Sequence, residues 1–244
     1  MMFSMLTPQE EDMQVLKEAY NEFNKVVAKV MFDLGYQYDL VIYGSTTNGL
    51  AMRSAHSDLD LSIVVQNFPK FDNGEEKAAN INKIMTKIKL SVDQDKAFSA
   101  KFSVDYPFAA SYGWQLNVTY RGSAEVKLEI FVNKVVDAYN TWLVYTYAAL
   151  DIRFLKLALV LKYINKQMFK ELRLNSYSII MMLIAYLQRE KVLPCLQKIG
   201  HKPSLIRYDR YIFEDKKLKD HQEIITDVYF VTDVNFIQKE FGPQ

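Results

Sequence analysis

The chain has 244 residues, of which 50% are hydrophobic and 24% charged, so it can form one large globular domain or two modest ones. Its 30 basic and 29 acidic side chains give a formal net charge of +1, so the charge of the whole chain argues neither for nor against a nucleic-acid partner. The single cysteine, Cys195, excludes an internal disulfide and points to a reduced compartment.

Neither a signal peptide nor a membrane span is predicted. The N-terminal stretch MMFSMLTPQEEDM is acidic and lacks the apolar core of a signal peptide. The longest uncharged apolar run, Tyr177–Leu187, is too short to cross a bilayer. We therefore expect an intracellular, cytoplasmic protein without a membrane partner, and the sequence leaves a mitochondrial or nuclear location open.

The first half of the chain alternates helical and strand patterns. A helix is predicted over residues 7–34, because apolar residues recur at helical spacing, Thr7, Pro8 and Glu10 suit a capping box, and Gly35 follows as a stop. The other elements predicted in this half are strands at 39–43 and 59–65, a helix at 73–90, and strands near 98–106, 115–120 and 126–132.

The second half of the chain is helical in pattern, with long apolar helices predicted over 142–168 and 176–191. This change favours an α+β fold of two lobes with a cleft between them. The first lobe, residues 1–137, is expected to hold a mixed sheet with helices, and the second, residues 138–244, to be mainly helical. We expect the N-terminal helix 7–34 to pack on the helical lobe.

Two aspartates enter the predicted strand at 59–65. Asp58 and Asp60 are two residues apart, so both side chains point to one face, while leucines and isoleucine take the other. Like charges this close are costly when partly desolvated, and a divalent cation with a preference for oxygen ligands, such as Mg²⁺, would remove that cost. A solvated turn that starts the strand is the alternative, and it is preferred if the pair is taken alone.

A possible anion site precedes the aspartates. The segment YGSTTNGL places Gly44 and Ser45 at the exit of a strand, where free backbone N–H groups and a hydroxyl can cradle a triphosphate. The carboxylates return 13 residues after Ser45. This spacing sets cation ligands beside an anion cradle and favours a functional interpretation.

Gly-Ser, a short spacer and Ser-Asp-x-Asp leading a strand resemble the signature of the DNA polymerase β-type nucleotidyltransferase superfamily. The resemblance implies a palm sheet with a third carboxylate on a later strand, and Glu129 in VKLEIFVN is the matching residue. Most polymerising relatives carry Asp there, and Glu125, on the same face, is the alternative. The resemblance thus implies that Asp58, Asp60 and Glu129 are catalytic and bind Mg²⁺, or else Mn²⁺.

The helical half resembles the cytoplasmic-type poly(A) polymerases and terminal uridylyltransferases within that superfamily. The resemblance covers AYNTWLVYTYAALDIRFLKLALVLKYINKQ and LNSYSIIMMLIAYLQ. It implies nucleotide-binding roles: Asn140 and Thr141 contact the ribose or phosphates, and Lys162 and Lys166 bind the triphosphate. Tyr177 stacks on the base, and Ser176 contacts a phosphate. From the residues alone, a solvated basic helix face is preferred for the lysines and core packing for the tyrosine.

The resemblance implies a template-independent enzyme that adds UMP or AMP from UTP or ATP to RNA 3′ ends, by a two-metal mechanism that releases pyrophosphate. It also implies protein partners in an RNA-processing assembly. One alternative is a weakly active or inactive subunit that binds nucleotide or RNA within such an assembly, and another is the same chemistry on a non-RNA acceptor. Because family members usually continue further, we expect the helical lobe to be shortened at its C-terminus.

Overall fold

The structure, a computed structural model, describes residues 7–53, 57–110, 113–168 and 174–199. The elements in chain order are α1 (Glu10–Leu34), β1 (Tyr38–Tyr43), β2 (Ser57–Val65), α2 (Gly74–Gln94), α3 (Lys96–Ser99), β3 (Phe102–Val104), β4 (Phe108–Ala110), β5 (Gly113–Arg121), β6 (Glu125–Val132), α4 (Val135–Leu150), α5 (Ile152–Met168), α6 (Ser176–Arg189) and α7 (Leu196–Ile199). Residues 200–244, which belong to the predicted helical lobe, lie outside the described residues. None of the helices in the described ranges is long and apolar enough to cross a membrane.

The strands form one mixed sheet in the order β1-β2-β6-β5-β3, and β4 pairs with β5. β2 and β6 run parallel at its centre, and every other described pair is antiparallel. The α+β class with a mixed sheet, predicted from the sequence, is therefore confirmed.

The two faces of the sheet differ in polarity because side chains alternate along each strand. Leu59, Leu61 and Ile63 of β2, with Leu128 and Ile130 of β6, point to one face and are fully buried. Helices α1 and α2 pack on the sheet and supply the other half of this core. The opposite face of the central strands carries the acidic residues.

Helix α1 belongs to the sheet unit. Its N-terminus is capped by Asp12, whose carboxylate accepts a hydrogen bond from the Gln9 amide at 2.8 Å, and it ends at Gly35 in a left-handed conformation with φ 71°. Its buried stripe, which includes Leu16 and Phe23, faces the sheet and α2. The expectation that this helix also packs on the helical lobe stays a prediction.

The predicted strand near 98–106 is also different in the structure. The Asp95 side chain accepts a hydrogen bond from the Ala97 amide at 3.0 Å and starts the single turn of α3. The strand β3 then covers only Phe102–Val104. A local side-chain cap has overridden the apolar pattern here.

Ser45–Met52 and the described residues from Tyr139 onward group as a second compact unit. The single helix predicted over 142–168 is two helices, because α4 already starts at Val135 and Asp151 separates it from α5. The Asp151 carboxylate accepts a hydrogen bond from the Arg153 amide at 2.7 Å and so starts the new helix. The regular elements described in the second unit are all helices, and Ser45–Met52 forms a turn and irregular chain.

The buried hydroxyl of Tyr147 ties this second unit together. It accepts hydrogen bonds from the Gln188 side-chain amide at 2.8 Å and from the Leu196 backbone amide at 3.2 Å. It lies 3.2 Å from the Pro194 carbonyl oxygen, to which it can donate. The end of α6 and the start of α7 are thereby fixed to α4.

Candidate active site

The central parallel strands bring two of the predicted carboxylates side by side. Asp60 of β2 and Glu129 of β6 are direct Cα partners, so their backbones are roughly 5 Å apart. Asp58 lies two residues earlier on the same face, opposite Lys127. The structure thus brings together all three carboxylates that the sequence predicts as metal ligands.

This arrangement favours Glu129 over Glu125, the other candidate for the third carboxylate. Glu125 begins β6 and pairs in register with Arg121. It lies four residues before Glu129, which places it roughly 13 Å further along the strand. Of these two glutamates, Glu129 is the one directly opposite Asp60.

Asp60 and Glu129 also have partners on the two outer neighbouring strands, β1 and β5. Tyr43 at the end of β1 is the Cα partner of Asp60, and Asn117 of β5 is the partner of Glu129. Asn117 is held by a hydrogen bond from the Gln115 side chain at 2.8 Å. We call the three acidic side chains Asp58, Asp60 and Glu129 the carboxylate row.

Burial and repulsion by neighbouring carboxylates dominate the electrostatics of Asp60 and Glu129. Asp60 is partly buried, and the side chains of Asp58 and Glu129 are more exposed. Burial, followed by the charges of Glu129 and Asp58, raises the pKa of Asp60 to about 7. The pKa of Glu129 is also raised, by burial and then by Asp58, while Lys134 acts in the opposite direction on both groups. A proton or a cation bound at Asp60 would relieve this repulsion.

The donor set fits a hard divalent cation, since it consists of carboxylate oxygens with unfavourable mutual repulsion. Within the described ranges, however, no three His, Cys, Asp or Glu side chains are already closed around a common metal position. The carboxylate row would therefore supply only part of a coordination sphere. Such sites are commonly completed by water and by the phosphate oxygens of a substrate.

Gly44 makes room for Asp60. Its φ of 79° favours glycine, and a Cβ atom placed on it would overlap the Asp60 carboxylate. The sequence predicts Gly44 as part of an anion cradle, and the structure adds that only glycine lets Asp60 lie against the chain at this point. Ser45 follows directly and groups with the second unit.

The turn after β6 contains residues that the sequence analysis missed. Asn133 has a left-handed φ of 55°, and its side-chain oxygen accepts a hydrogen bond from the Val65 amide at 2.8 Å. The Lys134 amide donates to the fully buried Ser62 hydroxyl at 2.9 Å. The signal in the sequence is the Asn-Lys pair at the end of an acidic strand, but the path of the turn is set by partners on β2.

Tyr43 was missed as well. It is only 6% exposed, and its hydroxyl has no hydrogen-bond partner among the described residues. Burial, followed by the charge of Asp60, raises its pKa further above the usual range for tyrosine. A buried donor next to a carboxylate is a feature that the sequence pattern alone does not reveal.

The predicted lysines lie on α5 of the second unit. Lys162 is partly buried, and its ammonium group donates a hydrogen bond to the Leu50 carbonyl at 2.6 Å. Lys166 is exposed one turn later. Between them, the buried Asn165 side chain binds both backbone groups of Leu174, at 2.9 and 3.1 Å, and so fixes the chain that leads into α6.

The remaining predicted residues lie on α4 and α6. Asn140 and Thr141 are inside α4, with Thr141 buried, whereas the predicted start of the helix at 142 would place them before it. Ser176 and Tyr177 do start α6, where the Asn175 side chain caps the Tyr177 amide at 2.8 Å. Tyr177 is 40% exposed, so part of its ring is accessible.

The mixed sheet with its carboxylate row is that of a DNA polymerase β-type nucleotidyltransferase palm, as the sequence resemblance predicted. A family model described as poly(A) RNA polymerase, mitochondrial-like, central palm domain matches residues 1–149, and the chain belongs to this family.

Curated relatives agree. The chain is 31% identical over 177 residues to poly(A) RNA polymerase GLD2 of Homo sapiens, and the matched region covers 67% of this chain and 34% of the relative. It is 33% identical over 173 residues to poly(A) RNA polymerase GLD2-B of Xenopus laevis, and the matched region covers 66% of this chain and 31% of the relative. The chain thus spans about a third of the length of these relatives.

Solved structures show the same fold. The Cid1 poly(U) polymerase with Mg and 3′-dATP bound superposes with a TM-score of 0.67 at 17% identity, over 96% of this chain and 64% of that one. The GLD-2/RNP-8 complex gives a TM-score of 0.64 at 22% identity, over 79% of this chain and 61% of that one.

Proposed function

We propose that this chain adds AMP or UMP to RNA 3′ ends without a template and releases pyrophosphate. The observation that carries the proposal is the carboxylate row, with Asp60 and Glu129 in direct register on the central parallel strands. Membership of the poly(A) RNA polymerase palm family supports it. The similarity of sequence to poly(A) RNA polymerases favours ATP as the donor, and the similarity of fold to a poly(U) polymerase keeps UTP as the second candidate.

Asp58, Asp60 and Glu129 would hold the divalent cations, Mg²⁺ or Mn²⁺. Bound there, such cations would polarise the RNA 3′-hydroxyl and offset the charge that develops on the leaving pyrophosphate. The raised pKa of Asp60 and its repulsion by Glu129 and Asp58 support this role, because a cation relieves both.

In the reaction, the 3′-hydroxyl oxygen attacks the α-phosphorus of the nucleoside triphosphate. A new phosphodiester bond forms, the bond between the α-phosphorus and the bridging oxygen breaks, and the proton of the hydroxyl leaves to solvent. Asp60 and Glu129 would orient the attacking hydroxyl, and Gly44 leaves the space that Asp60 occupies.

The second unit would bind the nucleotide. Lys162 and Lys166 share one face of α5, where two ammonium groups suit the β- and γ-phosphates. Tyr177 is exposed at the start of α6 and would stack on the base, with Ser176 near a phosphate. Asn140 and Thr141 would contact the ribose or the phosphates from within α4.

The single cysteine and the family membership support an intracellular, cytoplasmic enzyme. The GLD-2/RNP-8 complex supports a protein partner in an RNA-processing assembly.

A labelled RNA oligonucleotide incubated with each of the four nucleoside triphosphates, in Mg²⁺ and in Mn²⁺, tests the proposal. We expect extension with ATP or UTP, and loss of extension in Asp58→Ala. The matched control is Glu125→Gln, an exposed carboxylate on the strand that carries Glu129, and it should retain activity.

Two outcomes would support the alternatives. If no nucleotide is added although ATP or UTP still binds, the chain is a nucleotide-binding subunit. If label is transferred to a hydroxyl compound or a protein but not to RNA, the chemistry holds and the acceptor is a different one.

A further inference from the structure

Lys134 is held in place by the turn that follows β6. The left-handed conformation of Asn133 reverses the chain, and the Lys134 amide is fixed by the buried hydroxyl of Ser62 at 2.9 Å. Ser62 is the Cα partner of Phe131, and this pair lies two residues beyond Asp60 and Glu129 on the same face of the sheet. The turn therefore brings Lys134 back over the sheet beside the carboxylate row.

The ammonium group of Lys134 is held from several sides. It lies 2.8 Å from a carboxylate oxygen of Asp137, 3.8 Å from the ring centroid of Phe131 and 5.9 Å from that of Tyr43. The side chain is only 23% exposed, so solvent screens its charge less than that of a surface lysine. Tyr43 is itself the strand partner of Asp60, which places this cation at the edge of the row.

We propose that Lys134 is the built-in counter-cation of the carboxylate row: it stabilises the metal-free protein and lowers the affinity of the row for divalent cations. This inference rests on the proposed function, in which the row holds the metal. Lys134 acts through the carboxylates, so it is a positioning residue. The direction of its effect on Asp60 and Glu129, whose pKa values it lowers, agrees with this role.

The physical reason is competition between a fixed charge and a bound one. Without metal, three acidic side chains repel each other, and the ammonium group offsets part of that repulsion. When a divalent cation enters, the same ammonium group repels it. Removal of the charge should therefore weaken the metal-free fold and tighten metal binding, a combination that loss of packing alone does not produce.

The test uses the full chain without nucleotide. Mn²⁺ binding is measured by electron paramagnetic resonance at fixed ionic strength, and thermal unfolding is followed in EDTA. For Lys134→Met we expect a lower Tm in EDTA and Mn²⁺ binding that is tighter by about tenfold. Lys134→Arg keeps the charge and should resemble the wild type. Lys87→Met, which removes an exposed charge on α2, should change neither quantity.

Weaker or unchanged Mn²⁺ binding in Lys134→Met would overturn the inference. If that variant does not fold, Lys134→Gln replaces it, and the same lower Tm in EDTA and tighter Mn²⁺ binding are expected. Asp58→Ala separates this inference from the proposed function. If Asp58→Ala leaves Mn²⁺ binding intact, the metal site itself is refuted; if it abolishes binding but Lys134→Met has no effect, only the role of Lys134 is refuted.

Discussion

Replacement of Asp60 by asparagine should stabilise the metal-free protein while it abolishes activity. The change removes one charge from the carboxylate row and keeps the shape of the side chain. Burial and the charges of Glu129 and Asp58 raise the pKa of Asp60 from 3.8 to about 7. Because the folded state binds the proton more tightly than the unfolded chain does, the wild type loses stability as the pH rises from about 4 to above 7.

The size of the effect follows from the pKa difference. It corresponds to roughly 4 kcal/mol of stability lost by the wild type at pH 8, against less than about 1 kcal/mol at pH 4. Asparagine carries no charge at either pH. In EDTA at pH 8, Asp60→Asn should therefore be more stable than the wild type, with a Tm higher by roughly 8–16 °C for a chain of this size.

Differential scanning calorimetry in EDTA between pH 4 and pH 8 measures this difference. Glu125→Gln is the matched control, because it also removes one carboxylate charge from the same sheet but lies outside the row. An Asp60→Asn protein that is no more stable than the wild type at pH 8 would refute the reasoning. So would a gain of equal size at pH 4, since it would not come from the charge.

Three further results are expected. Gly44→Ala should lose RNA extension, because the added methyl group displaces Asp60. Gly35→Ala is the control: Gly35 has a similar φ of 71° and open space around it, so the change should cost only about 1–2 kcal/mol of stability and leave the chain active. An extension assay together with thermal melts measures both effects. Tyr147→Phe should destabilise the helical unit by roughly 1–3 kcal/mol in urea unfolding, since it leaves a buried backbone amide unpaired. Tyr177→Ala should raise the nucleotide KM roughly tenfold and Tyr177→Phe should not, since only the aromatic face is needed for stacking.

The sequence predicts the carboxylate row well because the pattern is local. Alternation of Asp58, Leu59, Asp60 and Leu61 fixes which side chains share a face, whatever the partner strand is. The choice of Glu129 over Glu125 needed the family resemblance, since parity alone allows both. Only the register of β6 against β2 distinguishes them.

Features that depend on distant partners could not be predicted in this way. The apolar stripe of α1 shows that one side of the helix is buried, but it does not say against which surface. The helix break at Asp151 requires its side chain to cap the next helix, and a lone aspartate in an apolar run does not predict such a break. The position of Lys134 depends on a left-handed turn at Asn133 and on a hydroxyl of β2 that lies far away in sequence.

The parallel pairing of β2 with β6 also makes the register of the sheet a condition for chemistry. A slip by one residue would turn Glu129 into the apolar layer beneath the sheet and bring Leu128 or Ile130 to the polar face. Both changes are costly, so the leucine and isoleucine side chains of the core also fix the register that keeps Asp60 and Glu129 side by side. We expect single-residue insertions to be tolerated in the turn at 122–124. Within residues 126–132 we expect them to abolish activity, because they shift the register of β6 against β2.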